Sequence, residues 1–208
     1  MRETAPCRRR RGRSKQEKRK KEERGKAMRE KRKVILYIAV SVDGFIADEK
    51  GGVDWLQGEA DSPPGDHGYK ELMKRIDTIV MGMRTYRQVK TELSPQEWAY
   101  PGKRCHVISH EPPDGEEEGE VSFTQESPPA LIDRLRSEPG RDIWVCGGAD
   151  IARQLMRADR IDEYHLSVIP VILGSGIRLF DQQENRIALR LLSQSAEKGI
   201  VTCVYARR

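Results

Sequence analysis

At two points in the sequence a short apolar run ends in glycine and gives way at once to a helical pattern. Ile143-Trp144-Val145-Cys146 runs into Gly147-Gly148, after which Ala149 to Arg157 place Ile151, Leu155 and Met156 on one helical face. Thr78-Ile79-Val80-Met81 runs into Gly82, and Arg84 to Lys90 reads as a second short helix. Strand, glycine, helix leaves free backbone N–H groups and the positive end of a helix dipole facing outward, a receptor for phosphate oxygens. Glycine suits that place because a Cβ would hold a pyrophosphate away from the backbone. The same arrangement also makes plain turns, so the glycines alone leave both readings open. Arg84 is a candidate phosphate partner, since guanidinium grips phosphate through parallel N–H donors, although a solvated surface arginine looks the same in sequence. Asp66 opens the helical stretch DHGYKELMKRI, where it is an eligible N-cap.

These residues need a scaffold. Val34 to Val42 is a continuous apolar run, the pattern of a central strand covered on both faces. It ends in the turn dipeptide Asp43-Gly44 and resumes as Phe45-Ile46-Ala47. Residues 48–65 form a long polar loop with Trp55-Leu56 as its apolar anchor, and loops of that length are commonly functional lids or disordered. Asp66 to Ile76 reads as a helix, with Tyr69, Leu72, Met73 and Ile76 on its apolar face. Lys103 to His110 and Val121 to Thr124 read as strands, and Pro128-Pro129 starts a helix that runs to Arg136. Ile161 to Ile169 is a strand ended by Pro170, followed by the loop Leu173-Gly174-Ser175-Gly176. Leu189 to Ser195 and Ile200 to Ala206 form a closing antiparallel hairpin. Alternating strands and helices imply one α/β domain, with a mostly parallel mixed sheet, helices on both faces and the hairpin at one edge.

Charge is distributed unevenly. Residues 1–33 hold 17 Lys or Arg against 5 Asp or Glu, whereas the remainder holds 21 against 28. The sequence pI of about 9.0 is thus a property of the leader. Residues 1–33 carry too little apolar surface to offset their ordering entropy, so a disordered basic tail is expected before a domain spanning 34–208. Such a tail suits nucleic acid or an anionic membrane by counterion release, but no aromatics are interleaved to stack bases. Translation from Met28 is the plainer alternative. No apolar core follows the charges in the manner of a signal peptide, and no run is long enough to span a bilayer. Cys7, Cys105, Cys146 and Cys203 are widely spaced, which indicates no disulfide framework and no metal site and fits a cytoplasmic protein.

The segments VSVDGFIA, DTIVMGMRTY, PGKRCHVIS, WVCGGADI and DEYHLSVIPVILGSGIRLF occur in that order. Together they resemble the dihydrofolate reductase-like superfamily over roughly Lys33 to the C-terminus. PVILGSGIRLF points to the riboflavin-biosynthesis reductase domain and its stand-alone relatives. The resemblance implies a twisted mixed sheet, NADPH bound across the sheet, hydride transfer to a nitrogen heterocycle or ribosylamino-pyrimidine, and often a homodimer. Ala39, Ile46 and Ala47 would line the nicotinamide. Gly82, Met83, Arg84 and Thr85 would meet phosphates, with Met83 standing where the superfamily carries arginine. Ser109 and His110 would lie by the adenosine. Gly147, Gly148, Ala149, Asp150 and Ile151 would hold the pyrophosphate and nicotinamide ribose, with Ala149 in place of a third glycine. On the substrate side, Asp66 would be the catalytic acid, Trp55 would cover the ring and Ser167 would order acid and substrate. Lys103 stands where folate enzymes carry a tail-clamping arginine, a bidentate grip that lysine does not reproduce. The deaminase zinc motif of the bifunctional riboflavin enzymes is absent. Two alternatives stay open: a cofactor-binding relative without turnover, and a nucleic-acid binder acting through the tail.

Overall fold

The computed structural model describes residues 31–57, 66–111, 119–181 and 186–208. The chain divides into two units, Met1–Lys31 and Arg32–Arg208. The tail expected over residues 1–30, and the expected loop residues 58–65 and 112–118, lie outside the described residues.

An eight-stranded sheet forms the second unit, in the order β5-β4-β3-β6-β1-β7-β10-β9. Its members are β1 (Val34–Ser41), β3 (Ile76–Gly82), β4 (Arg104–Ile108), β5 (Val121–Thr124), β6 (Asp142–Gly147), β7 (Glu163–Ile169), β9 (Leu189–Glu197) and β10 (Ile200–Arg207). The strands from β5 to β7 pair in parallel, while β10 runs antiparallel to β7 and β9 antiparallel to β10. A mostly parallel sheet with an antiparallel C-terminal hairpin is the expected architecture. The unbroken apolar character of β1 has its reason in this order: Val34, Ile35 and Leu36 are wholly buried because both faces are covered.

Helices α1 (Tyr69–Arg75) and α2 (Met83–Gln88) cover one face, and α3 (Pro128–Ser137) and α4 (Ala149–Arg157) the other. Leu36, Val80 and Val145 pack against Leu131, Leu135, Ile151 and Leu155 of α3 and α4. Ile35, Ile79, Met81 and Trp144 pack against Leu72 of α1 and Tyr86 of α2. A π-helical turn, Val89–Leu93, continues α2.

Three boundaries depart from the sequence reading. Helix α1 ends at Arg75, and Ile76, counted on its apolar face, turns extended and becomes the first residue of β3. Ile76 is wholly buried in either role, so helical periodicity could not tell the two apart. Phe45–Ala47 (β2) pairs with Ile177–Arg178 (β8) as a separate two-stranded ribbon, too short to show an alternating pattern. The expected boundary between tail and domain also moves. Arg32, assigned to the tail by its charge, is 4% exposed and belongs to the folded unit. Its guanidinium donates to the carbonyls of Arg141 (2.5 Å) and Leu135 (2.9 Å), to Asp77 Oδ1 (2.5 Å) and to Thr78 Oγ1 (2.6 Å). Lys33 is tied down beside it through Nζ to Glu163 at 2.9 Å. Local charge density predicts solvation, but a guanidinium whose donors are matched by buried acceptors is buried with them.

Candidate active site

Strands β3 and β6 are neighbours and parallel, with Met81 opposite Gly147, so both glycine-led turns open on one sheet edge. A Cβ built on Gly82 would stand 3.2 Å from Ile151 Cδ1 and 4.0 Å from the amide nitrogen of Gly148. Cβ atoms on Gly147 and Gly148 would stand 3.7 and 3.5 Å from Thr85 Oγ1. Gly82 and Thr85 of one turn therefore face Gly147 and Gly148 of the other across bare backbone. Gly147 has φ +140°, a conformation that side chains rarely adopt, and the Gly147–Gly148 peptide is cis. Neither helix start is capped by a side chain, so the first-turn N–H groups of α2 and α4 have no local competitor. The carboxyl ends of parallel strands, where helix starts gather, are where open α/β sheets bind ligands.

The side chains around this edge fall into two groups. Met83 turns inward and packs on the core cluster of α1 and α2, while Arg84 is exposed beside the opening. The inversion noted in sequence thus leaves a guanidinium on the outside. Ala149 is buried, and Ile151 fills the space behind Gly82. Asp150 is exposed and accepts from Gln154 Nε2 at 2.7 Å. Ser109 and His110 follow β4 at the same carboxyl edge. The Ser109 hydroxyl donates to the Glu111 carbonyl at 2.8 Å, and the His110 ring is exposed. Ala39 lies on β1 opposite Ser167 of β7, and Ile46 and Ala47 lie on β2.

Asp43, which the sequence reading treats as a turn residue alone, organises the neighbouring loop. Its carboxylate accepts from Ser41 Oγ (2.7 Å), the Leu173 amide (3.1 Å) and the Gly174 amide (2.7 Å). The Ser41 hydroxyl bond and the two amides pull the Asp43 carboxyl down to about 2. Arg178 lies over the Phe45 ring at 4.4 Å. Two of the recognised segments, VSVDGFIA and PVILGSGIRLF, are therefore the two halves of one clasp. The loop after β2 is held to α2 by Gln88 Nε2, which donates to the Gly51 carbonyl at 2.9 Å. Trp55 is half-buried in that loop, and its indole N–H donates to the Gly52 carbonyl at 3.2 Å.

The substrate-side residues are arranged differently from the expectation. Asp66 accepts the Lys70 amide at 3.1 Å and its carbonyl accepts the Tyr69 amide at 2.7 Å, which is capping work, although Gly68 holds the N-cap position itself. Tyr37 of β1 lies beside it and donates to the His67 carbonyl at 3.3 Å. Burial first and the Asp66 charge second push the Tyr37 phenol up to about 12. Lys103 acts as a helix cap: Nζ donates to the carbonyls of Met73 (2.8 Å) and Ile76 (2.9 Å) at the end of α1. An ammonium close to unpaired helix carbonyls is drawn to them. Ser167 Oγ shares a hydrogen bond of 3.1 Å with Thr202 Oγ1 of β10. Burial pushes the thiols of Cys105 and Cys146 up to about 12 and 11, which keeps both protonated and unreactive.

An implied dinucleotide can be tested against this geometry. Paired uncapped helix starts, glycines with no Cβ between them, and an exposed Arg84 fit a pyrophosphate and its attached groups. The family model of the RibD C-terminal domain matches residues 32–201. The Bacillus subtilis protein YwjB, itself uncharacterised, is 43% identical over 179 residues, spanning 85% of this chain and 98% of its own. The structure of a protein from Shewanella sp. PV-4 named for riboflavin biosynthesis superposes with a TM-score of 0.73 at 29% identity, over 85% of this chain and 99% of that one. A diaminohydroxyphosphoribosylaminopyrimidine deaminase/5-amino-6-(5-phosphoribosylamino)uracil reductase from Thermotoga maritima shares the fold, with a TM-score of 0.64 at 15% identity. This chain covers 57% of that longer protein.

Proposed function

The chain belongs to the RibD C-terminal domain family, and from that premise we propose that it is an NADPH-dependent reductase. Its acceptor is a small nitrogen heterocycle or ribosylamino-pyrimidine, similar to the compound named for the Thermotoga maritima reductase. The observation that carries this reading is the convergence of Gly82 and Gly148 on one sheet edge. NADPH, when bound, supplies a hydride from its nicotinamide. The chain's own residues do the rest. The first-turn amides of α2 and α4 and the Arg84 guanidinium hold phosphate oxygens. Ala39, Ile46 and Ala47 form an apolar floor for the nicotinamide, and Ser167 with Thr202 presents a hydroxyl pair beside it. The loop held by Gln88 excludes water, which matters because a hydride donor and an unsaturated acceptor must meet at near-attack distance without solvent between them.

Titration of the full chain with NADPH and NADH, followed by tryptophan fluorescence, tests the cofactor; NADPH is expected to bind, and no binding at millimolar concentration would refute the reading. Gly148→Ala is expected to fold, because its methyl would make only ordinary contact with Thr85. It should nonetheless weaken NADPH by ~tenfold, equivalent to about 1.4 kcal/mol. A second reading, cofactor binding without turnover, is favoured by Asp66 and Lys103, whose polar groups are engaged at the two ends of α1. NADPH consumption with any one of a pteridine, a pyrimidine or a ribosylamine removes it.

A further inference from the structure

We propose that His165, oriented by Glu163, meets the substrate heterocycle on the sheet floor and donates the proton that the reduction consumes; this rests on the reductase reading above. His165 and Ser167 are successive residues on one face of β7, opposite Tyr37 and Ala39 on β1 and opposite Val204 and Thr202 on β10. The imidazole thus lies one pleat, about 7 Å along the strand, from the Ala39–Ser167 pair. Its ring meets Tyr37 edge-on at 6.2 Å, and Tyr37 in turn reaches His67 beside Asp66. The sheet floor between the nicotinamide end and α1 is therefore made of Ala39, Ser167, Tyr37 and His165.

Glu163 determines which nitrogen is available. Its carboxylate lies 3.0 Å from His165 Nε2 and accepts from Lys33 Nζ and Arg75 Nη1, each at 2.9 Å. The hydrogen bond with His165, then those with Arg75 and Lys33, hold this carboxyl well below the usual range against the opposing effect of burial. A carboxylate that stays ionised makes Nε2 the donor, fixing the ring's orientation and leaving Nδ1 for another partner. The groups facing His165 are Glu163 on its own strand, Tyr37 from β1, Lys33 just before β1 and Arg75 from α1 through Glu163, and apolar Val204 from β10. Asp66, the acid expected from sequence, has its carboxylate on the Lys70 amide.

In the proposed step, hydride from the reduced nicotinamide dinucleotide adds to the carbon of a C=N bond. The π pair moves to nitrogen, which takes the proton from imidazolium Nδ1. The dinucleotide leaves oxidised, the substrate reduced by one C–H and one N–H, and the neutral imidazole regains a proton from water. Glu163 stays ionised throughout, so the ring keeps its orientation between turnovers.

The test uses the full chain with ¹³C-labelled histidine. Four histidines give four ring signals, and His165→Gln identifies one of them. Addition of 5,6-diaminouracil is expected to move the His165 signal; a signal unmoved at millimolar probe would overturn the contact. In turnover, His165→Gln should lower kcat/KM by about a hundredfold and erase one limb of the pH–rate profile, with the Kd for NADPH unchanged. Parent-like turnover and pH profile in that variant would overturn the proton donor. Failure of NADPH to bind the parent refutes the reductase reading instead, and the pyrimidine-induced shift, which needs no cofactor, still decides the contact.

Discussion

Asp43 and Gly176 show what single residues do here. Asp43 accepts from Ser41, Leu173 and Gly174, and its folded-state carboxyl lies near 2, below the unfolded value. A depressed carboxyl contributes stability above the unfolded pKa of about 3.9 and loses it as pH falls toward the folded one. Asp43→Asn is therefore expected to lower Tm at neutral pH and to match the parent near pH 2, measured by thermal melts across that window. A penalty that persists unchanged at pH 2 would mean the clasp does not depend on the charge. Gly176 has φ +139°, and a Cβ there would run into the Ala47 carbonyl oxygen. Gly176→Ala should part β2 from β8 and destabilise the protein by more than about 1 kcal/mol, read by denaturant melts.

At the scale of elements, α1 and α2 act as supports with tethers. Helix α1 is seven residues long and cannot stand on its own propensity. Asp66 at its start and Lys103 at its end supply partners for backbone groups that so short a helix leaves open. Lys103→Met should cost about 1–2 kcal/mol and leave the substrate KM unchanged. A raised KM with unaltered stability would instead restore the clamp. Helix α2 holds the loop after β2 through the Gln88–Gly51 hydrogen bond. Gln88→Ala is expected to open residues 48–57 to limited proteolysis while Tm stays near that of the parent, and equal cleavage rates would show that the loop is held by other means.

For the molecule as a whole, the decisive boundary lies at Arg32. Its guanidinium joins the end of α3, the start of β3 and the turn before β6. Gly140 makes room for it, since a Cβ there would stand 2.7 Å from Arg32 Cζ. Deleting residues 1–31 should leave Tm and NADPH binding as in the full chain. Deleting through Lys33, or Arg32→Ala in the full chain, removes the buried partner of a partly exposed carboxylate, Asp77, and should cost about 1.5–3 kcal/mol. The 1–31 deletion also tests the nucleic-acid reading, because salt-sensitive RNA or DNA binding that survives it cannot come from the tail.

Sequence by itself determined the elements whose signals are local. The unbroken apolar run of β1, the helical face of Ile151, Leu155 and Met156, and the glycines at 82 and 147–148 are properties of neighbours in the chain. They were enough for the fold class and for the two strand–glycine–helix turns that share one sheet edge. Only tertiary structure decided where polar side chains point. Asp43 reaches a loop about 130 residues away, Lys103 turns to a helix end about 30 residues before it, and Glu163 gathers Lys33 and Arg75 from distant parts of the chain to the His165 on its own strand. The physical reason is that apolar burial repeats with the period of a helix or strand and so leaves a pattern in sequence. A hydrogen bond or ion pair depends on one donor meeting one acceptor, and chain spacing carries no record of that meeting.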